Sequence, residues 1–237
     1  MKNIEANIAE CDLYYSEGRK LHDKRQATDE TSRDIEMDLI SGADIKCLKD
    51  MTLAELWQLF PITLIPHQPQ WKVWAKEEVE NLYKILLLQH SPTINHIGST
   101  AVPNIMSKPI VDILVEIVPG NDWQRAKTIM EKAGYICMAS SYNRMSFNKG
   151  YTLKGYAEKV FHIHFHVFGD NDEIYFRDYL IANPIIACKY ETLKLRLLSR
   201  YRNDRDKYTH AKSGFIKQIT NLAKINNSRS DTSEAMK

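Results

Sequence analysis

"NHIGSTAVPNIMSKPIVDILVEI", Asn95 to Ile117, decides how this chain is read. A short apolar run ends at a Gly-Ser-Thr turn, and a longer run comes next with an acid, Asp112, inside it. Alternate residues of a strand share a face. Val111, Ile113, Val115 and Ile117 then make a wholly apolar face that must meet a core. Ile110, Asp112, Leu114 and Glu116 make the other. An acid face backed by a core face is what a site on the open side of a sheet needs. A salt-bridged aspartate on a half-exposed strand fits the same spacing. At the turn, Gly98 allows close backbone approach to a ligand, and the amides of Ser99 and Thr100 can form an anion-binding nest. No Gly-Lys-Ser/Thr follows, so this is not a Walker loop.

A second alternating segment lies downstream. "VFHIHFHVF", Val160 to Phe168, puts His162, His164 and His166 on one face and Phe161, Ile163, Phe165 and Val167 on the other. Three imidazoles on one strand face suit a transition metal. Histidines hydrogen-bonded along a polar face are the plainer alternative.

Around these segments the pattern is helical. "MTLAELWQLFPI" reads as a short helix stopped by Pro61, and "WKVWAKEEVENLYKILLL" as a longer one. "DWQRAKTIMEKAGY" is a helix ending at Gly134. "YICMA" and "RMSFNKG" read as strands, and three helical patterns come after the histidine strand. Strands in the middle with helices on both sides give an α+β (α/β) domain with a mixed sheet. We expect a polar helical arm or linker over residues 1–50, with a capping-box helix start at Thr31, the main domain over 51–225, and a disordered tail over 226–237.

The formal charge of +2 argues against a nucleic-acid partner. No apolar run reaches the roughly 18 residues of a membrane helix. The four cysteines are far apart, eight methionines are present and no signal peptide is seen, which fits a cytoplasmic protein.

A Gly-Ser turn followed by a strand aspartate resembles the nucleotidyltransferase superfamily signature. "HIGSTAVP…KPIVDILV", with "HQPQW" before it and "HFHVF", "FRDYL" and a Tyr-x-x-Leu-Lys after it, is similar to the GrpB family from Met51 to Ala223. The resemblance implies a nucleotidyltransferase-like mixed sheet, a nucleotide or phosphorylated small molecule as ligand, and a divalent metal. It implies Gly98, Ser99 and Thr100 at the phosphates and Asp112 at the metal, with His164 and His166 as ligands or general base. It favours Lys108, Arg144 and Lys149 as phosphate-binding cations. His162 does not match the family's His-x-His positions.

The superfamily often carries Asp-x-Asp, but the second position here is Leu114. Glu116 lies about 13 Å along the strand from Asp112, too far for two metals about 4 Å apart. A mixed His/Asp set favours zinc or manganese over magnesium. These residues are compatible with three functions. One is metal-dependent nucleotidyl or phosphoryl transfer from a nucleoside triphosphate. Another is a non-catalytic nucleotide or coenzyme module. The third is a zinc-dependent hydrolase using the His162/His164/His166 face.

Overall fold

The computed structural model describes residues 47–234. The chain divides into Met1–Lys49 and Asp50–Lys237, and all elements below belong to the second unit. The expected arm, including the helix start at Thr31, falls outside the described residues up to position 46.

Helix α1, Leu53–Leu59, begins with a capping box. The Thr52 hydroxyl accepts from the Glu55 amide at 3.3 Å, and the Glu55 carboxylate accepts from the Thr52 amide at 2.7 Å. Helix α2, Gln70–Ile85, buries Trp71, Ala75, Glu78 and Leu82 at three- and four-residue spacing. Strands β1, Thr93–Ile97, and β2, Val111–Ile117, come next. Helix α3, Trp123–Lys132, is capped by Asp122, whose side chain accepts from the Arg125 amide at 3.0 Å. Beyond it come β3, Ile136–Ser140, β4, Arg144–Thr152, and β5, Gly155–Val167. Three helices complete the unit: α4, Asp172–Ala182, α5, Pro184–Tyr201, and α6, Arg205–Glu234.

The five strands form one mixed sheet in the order β1-β2-β5-β4-β3. Only β2 and β5 run parallel; the other neighbours are antiparallel. The expected apolar faces pack as the alternation requires. Val111, Ile113, Val115 and Ile117 join Phe161, Ile163 and Phe165 in a core closed by Trp71 and Leu82 of α2 and Met130 of α3. On the other side, α4, α5 and α6 pack on each other around Val102, Ile105, Phe176, Leu180, Tyr190 and Ile219. The sheet is therefore covered on both faces.

That second layer changes one expectation. Leu114 and Glu116 are buried, so the acid face of β2 is not an open strand surface. The Glu116 carboxylate accepts from the Gly169 amide at 3.0 Å and from Asn171 Nδ2 at 3.1 Å. It holds the β5–α4 turn in place. Helix α6 continues through the polar residues after 225 as far as Glu234. Extending an existing helix needs no new nucleus, and the Ser228 hydroxyl donates to the Lys224 carbonyl at 2.9 Å.

Ile113 is wholly buried between sheet and helices. Ile113→Ala is expected to destabilise the domain by about 2–5 kcal/mol, read as a fall in the urea midpoint at unchanged slope.

Candidate metal centre and cavity

The parallel pairing of β2 and β5 sets the site. It places Asp112 beside His162, Leu114 beside His164 and Glu116 beside His166. Asp112 Oδ1 stands 3.4 Å from His162 Nδ1 and 3.4 Å from His164 Nε2. One ligand atom from each of the three residues lies within 4.8 Å of the others. A tetrahedral ion with bonds of about 2.1 Å holds its ligands about 3.4 Å apart, so these separations suit such an ion. Two imidazoles and one carboxylate fit zinc better than magnesium, which prefers an all-oxygen octahedron. Three protein donors leave a fourth position free, as in catalytic rather than structural zinc sites.

Of the expected set Asp112, His164 and His166, the grouping contains the first two, with His162 in place of His166. His166 is buried two strand positions further on, and its Nδ1 donates to the Asp170 carbonyl at 2.8 Å. That nitrogen is committed to the turn before α4. His162, unmatched by the family motif, takes the place expected for His166. The three-histidine face is thus split between a cluster and a structural contact.

A further residue supports His162. The Tyr151 hydroxyl lies 2.7 Å from His162 Nε2 and accepts from Arg205 Nη2 at 3.1 Å. Metal-bound histidines commonly use their second nitrogen in such a bond, which fixes the ring. Tyr151 reaches this face because the β4–β5 register shifts between Lys149 and Tyr151. Gly150, at φ +88°, sits at that shift. From Lys149 to Tyr151 β4 advances two residues while β5 advances five, from Tyr156 to Phe161, and this odd offset puts Tyr151 on the face opposite to Lys149. Burial raises the Tyr151 pKa, keeping the phenol protonated, although Arg205 opposes this.

Burial alone would raise the Asp112 pKa, but hydrogen bonds from His162 and then His164 outweigh it. The carboxyl is held well below the usual carboxylate range. Burial lowers the His162 pKa, against the pull of Asp112. An ionised carboxylate and a neutral ring are the forms that ligate metal.

Gly98 completes this corner. Ile97 pairs with Asp112, so the turn begins beside the carboxylate. Gly98 has φ +72° and ψ −170°, a region open almost only to glycine. A Cβ there would stand 2.5 Å from Asp112 Oδ2. Ser99 starts a short 3-10 turn over Ser99–Ala101. The Ser99 carbonyl accepts from the Ser107 hydroxyl at 3.0 Å, and Thr100 Oγ1 lies 3.0 Å from His96 Nε2. Thr100 is buried and is absent from the cavity lining, while Gly98 and Ser99 line it.

The cluster opens into a cavity of about 780 Å³ between the sheet and α6. That is a nucleotide-sized space. Of the three expected phosphate-binding cations, only Lys108 lines it. Arg144 instead forms a two-pronged pair with Asp170, at 2.8 and 2.7 Å. Lys149 lies on the core-facing side, 3.0 Å from Glu78 Oε1 and 3.4 Å from the Tyr135 hydroxyl. The cavity takes its other cations from helices: Lys194 from α5, and Arg205, Lys212 and Lys217 from α6.

Comparison with known proteins bears on this architecture. Residues 61–222 match the family model described as "GrpB protein". A UPF0157 protein of Pseudomonas aeruginosa is 35% identical over 165 residues, covering 68% of this chain and 67% of its own. The glutamate-rich protein GrpB of Alkalihalophilus pseudofirmus is 32% identical over 166 residues, covering 68% and 94%. The crystal structure of the conserved protein GrpB from Enterococcus faecalis superposes with a TM-score of 0.57 at 31% identity, covering 68% of this chain and 96% of that one. The Cid1 poly(U) polymerase overlaps at a TM-score of 0.40 and 11% identity, over 63% of this chain and 46% of that one. Among the described residues no helix is long and apolar enough to cross a membrane.

Gly98→Ala is expected to displace the Asp112 carboxylate and to cost about 1–3 kcal/mol of backbone strain. Thermal unfolding of the variant checks the cost, and a midpoint equal to the parent's would show that the turn has room for a side chain.

Proposed function

This chain belongs to the GrpB protein family, and we propose its function from the cavity itself. The protein binds a nucleotide or other phosphorylated small molecule with one divalent metal of the zinc or manganese type, and it transfers a nucleotidyl or phosphoryl group. The convergence of Asp112, His162 and His164 in the wall of a nucleotide-sized cavity carries this reading. Asp112 Oδ1, His162 Nδ1 and His164 Nε2 hold the metal. A bound ion supplies charge neutralisation and polarisation at a phosphoryl oxygen.

The chain's own groups do the rest. Gly98 and Ser99 bring backbone to the ligand beside Asp112, with no side chain in the way at Gly98. Tyr151 keeps the His162 ring oriented, and Arg205 keeps Tyr151 in place. His166 acts through the β5–α4 turn and has no part in the chemistry. Phosphoryl transfer depends mostly on positioning and charge, so a single metal with well-placed cations is enough for the reaction class.

One observation favours a second reading, in which the cavity binds nucleotide without turnover. Leu114 is fully buried where the superfamily often has its second acid, so no second metal can be held there. Pyrophosphate or phosphate release from nucleoside triphosphate with manganese separates the two.

Metal content tests the shared premise. After dialysis against zinc and then buffer, the parent and His166→Ala should retain about one zinc per chain, as three-ligand sites do. Asp112→Asn and His162→Ala should lose it. Tyr151→Phe should weaken zinc affinity about 10–100-fold, as loss of a ring-orienting partner does. Stoichiometric zinc in an Asp112→Asn, His162→Ala double variant would reject the ligand assignment.

A further inference from the structure

One face of α6 lines the cavity from Arg205 to Asn221. Arg205, Tyr208, Lys212, Ile216 and Thr220 recur every three or four residues and all contribute to the wall. Lys108, just before β2, faces the same space. Among the described residues, no carboxylate lies within 4.0 Å of Lys108, Arg205 or Lys212. This is unusual for partly buried cations, which are normally paired.

Four acids line the same space, Asp112, Asp172, Glu173 and Asp206. Glu173 Oε2 is buried 3.8 Å from His166 Nδ1 without a hydrogen bond, and Asp206 is exposed. Asp112 is held by His162 and His164. Asp172 pairs with Lys224. Lys194 is committed as well: its ammonium donates to the Met106 carbonyl, while Glu191 accepts from the Met106 amide at 2.6 Å. Lys108 and Lys212 instead flank one aromatic ring, at 6.0 and 4.5 Å from the Tyr208 centroid. The Tyr208 hydroxyl itself is buried and has no hydrogen-bond partner.

We propose that Lys108, Arg205, Lys212 and the Tyr208 hydroxyl form a polyphosphate subsite, so that the ligand is a di- or triphosphate ester rather than a monophosphate or a neutral molecule. The subsite is distinct from the Gly-Ser turn and lies between α6, which carries Arg205, Tyr208 and Lys212, and Lys108 just before β2. With both lysines protonated on a bound polyanion, two lysines and a guanidinium offer three positive charges, more than a monoester neutralises. Apolar walls from Leu64, Ile110, Phe176 and Ile216 leave room for the ester's organic part. The cost of leaving the cations unpaired shows in the lysines. Burial, followed by repulsion from Lys108, lowers the Lys212 pKa to about 7. Burial, followed by repulsion from Arg205, lowers Lys108 to about 8. A bound polyanion removes that penalty by pairing each charge.

The inference rests on the proposed metal-dependent reading of the same cavity, but its test does not use the metal. Tripolyphosphate and orthophosphate are titrated by calorimetry into the whole chain in the presence of chelator. The expected result is measurable tripolyphosphate binding, with orthophosphate at least about tenfold weaker. Lys108→Gln and Lys212→Gln should each weaken tripolyphosphate binding about tenfold or more, as loss of a charge-assisted contact does. Tyr208→Phe should weaken it by a smaller factor, and Lys154→Gln on the exposed β4–β5 turn should leave it unchanged. Removing an unpaired buried charge does not threaten the fold, and equal circular-dichroism melts confirm this for each variant. The proposal is overturned if the parent binds no tripolyphosphate, or if the Lys154 variant loses as much as the cavity variants. If zinc is retained by Asp112, His162 and His164 while the lysine variants bind tripolyphosphate normally, the polyphosphate subsite fails and the metal centre stands.

Discussion

The candidate site depends on one pairing, the parallel ladder between β2 and β5 that sets Asp112 beside His162. Ladder hydrogen bonds fix the relative heights of two strands, and a slip of one residue would turn every side chain to the other face. A slip of β2 would drive Asp112 into the apolar core and bring Ile113 to the cavity, and a slip of β5 would do the same to His162, His164 and Ile163. The core therefore enforces the register of the site. Ile113, Ile163, Phe161 and Phe165 are buried on one side so firmly that the three donors can stand only on the other.

That arrangement creates an electrostatic problem, and the neighbouring groups answer it in different ways. Asp112 is stabilised as a carboxylate by the two rings it faces. Arg205 and His162 are linked through Tyr151, a neutral bridge that joins helix α6 to the sheet. Lys108 and Lys212 are left facing space. Elsewhere the fold pairs its buried charges closely, as with Lys149 and Glu78 on the core side of the sheet. The contrast gives the cavity its chemical character: a metal-ready corner of three donors next to a wall with unmet positive charge.

Much of this is readable in the chain. The wholly apolar face of Val111, Ile113, Val115 and Ile117 and the strict alternation of Phe161–Val167 define both faces of both strands, because apolar residues on a two-residue period admit one assignment. The Gly-Ser-Thr turn does lie against Asp112, as its place before the strand suggests. Parity along β4 carries a further signal: Met145, Phe147 and Lys149 share the core side, which removes Lys149 from the cavity. Gly150 inside a strand pattern marks the bulge that turns Tyr151 towards His162. The choice between His162 and His166 is not readable. It depends on which residue of β5 meets Asp112, a contact between segments some fifty residues apart that local pattern does not encode. The cations of α6 are hidden for a similar reason. Lys and Arg at helical spacing look the same whether a helix faces solvent or lines a cavity.

The joint placement of Asp112, His162 and His164 on two neighbouring strands is the claim to test most directly. Crystals soaked in zinc and measured across the zinc absorption edge would locate the ion by its anomalous signal. The predicted result is one peak per chain in contact with Asp112, His162 and His164, at the mouth of the cavity lined by α6. A peak beside His166 and Asp170 instead, or no peak in the cavity at saturating zinc, would contradict it.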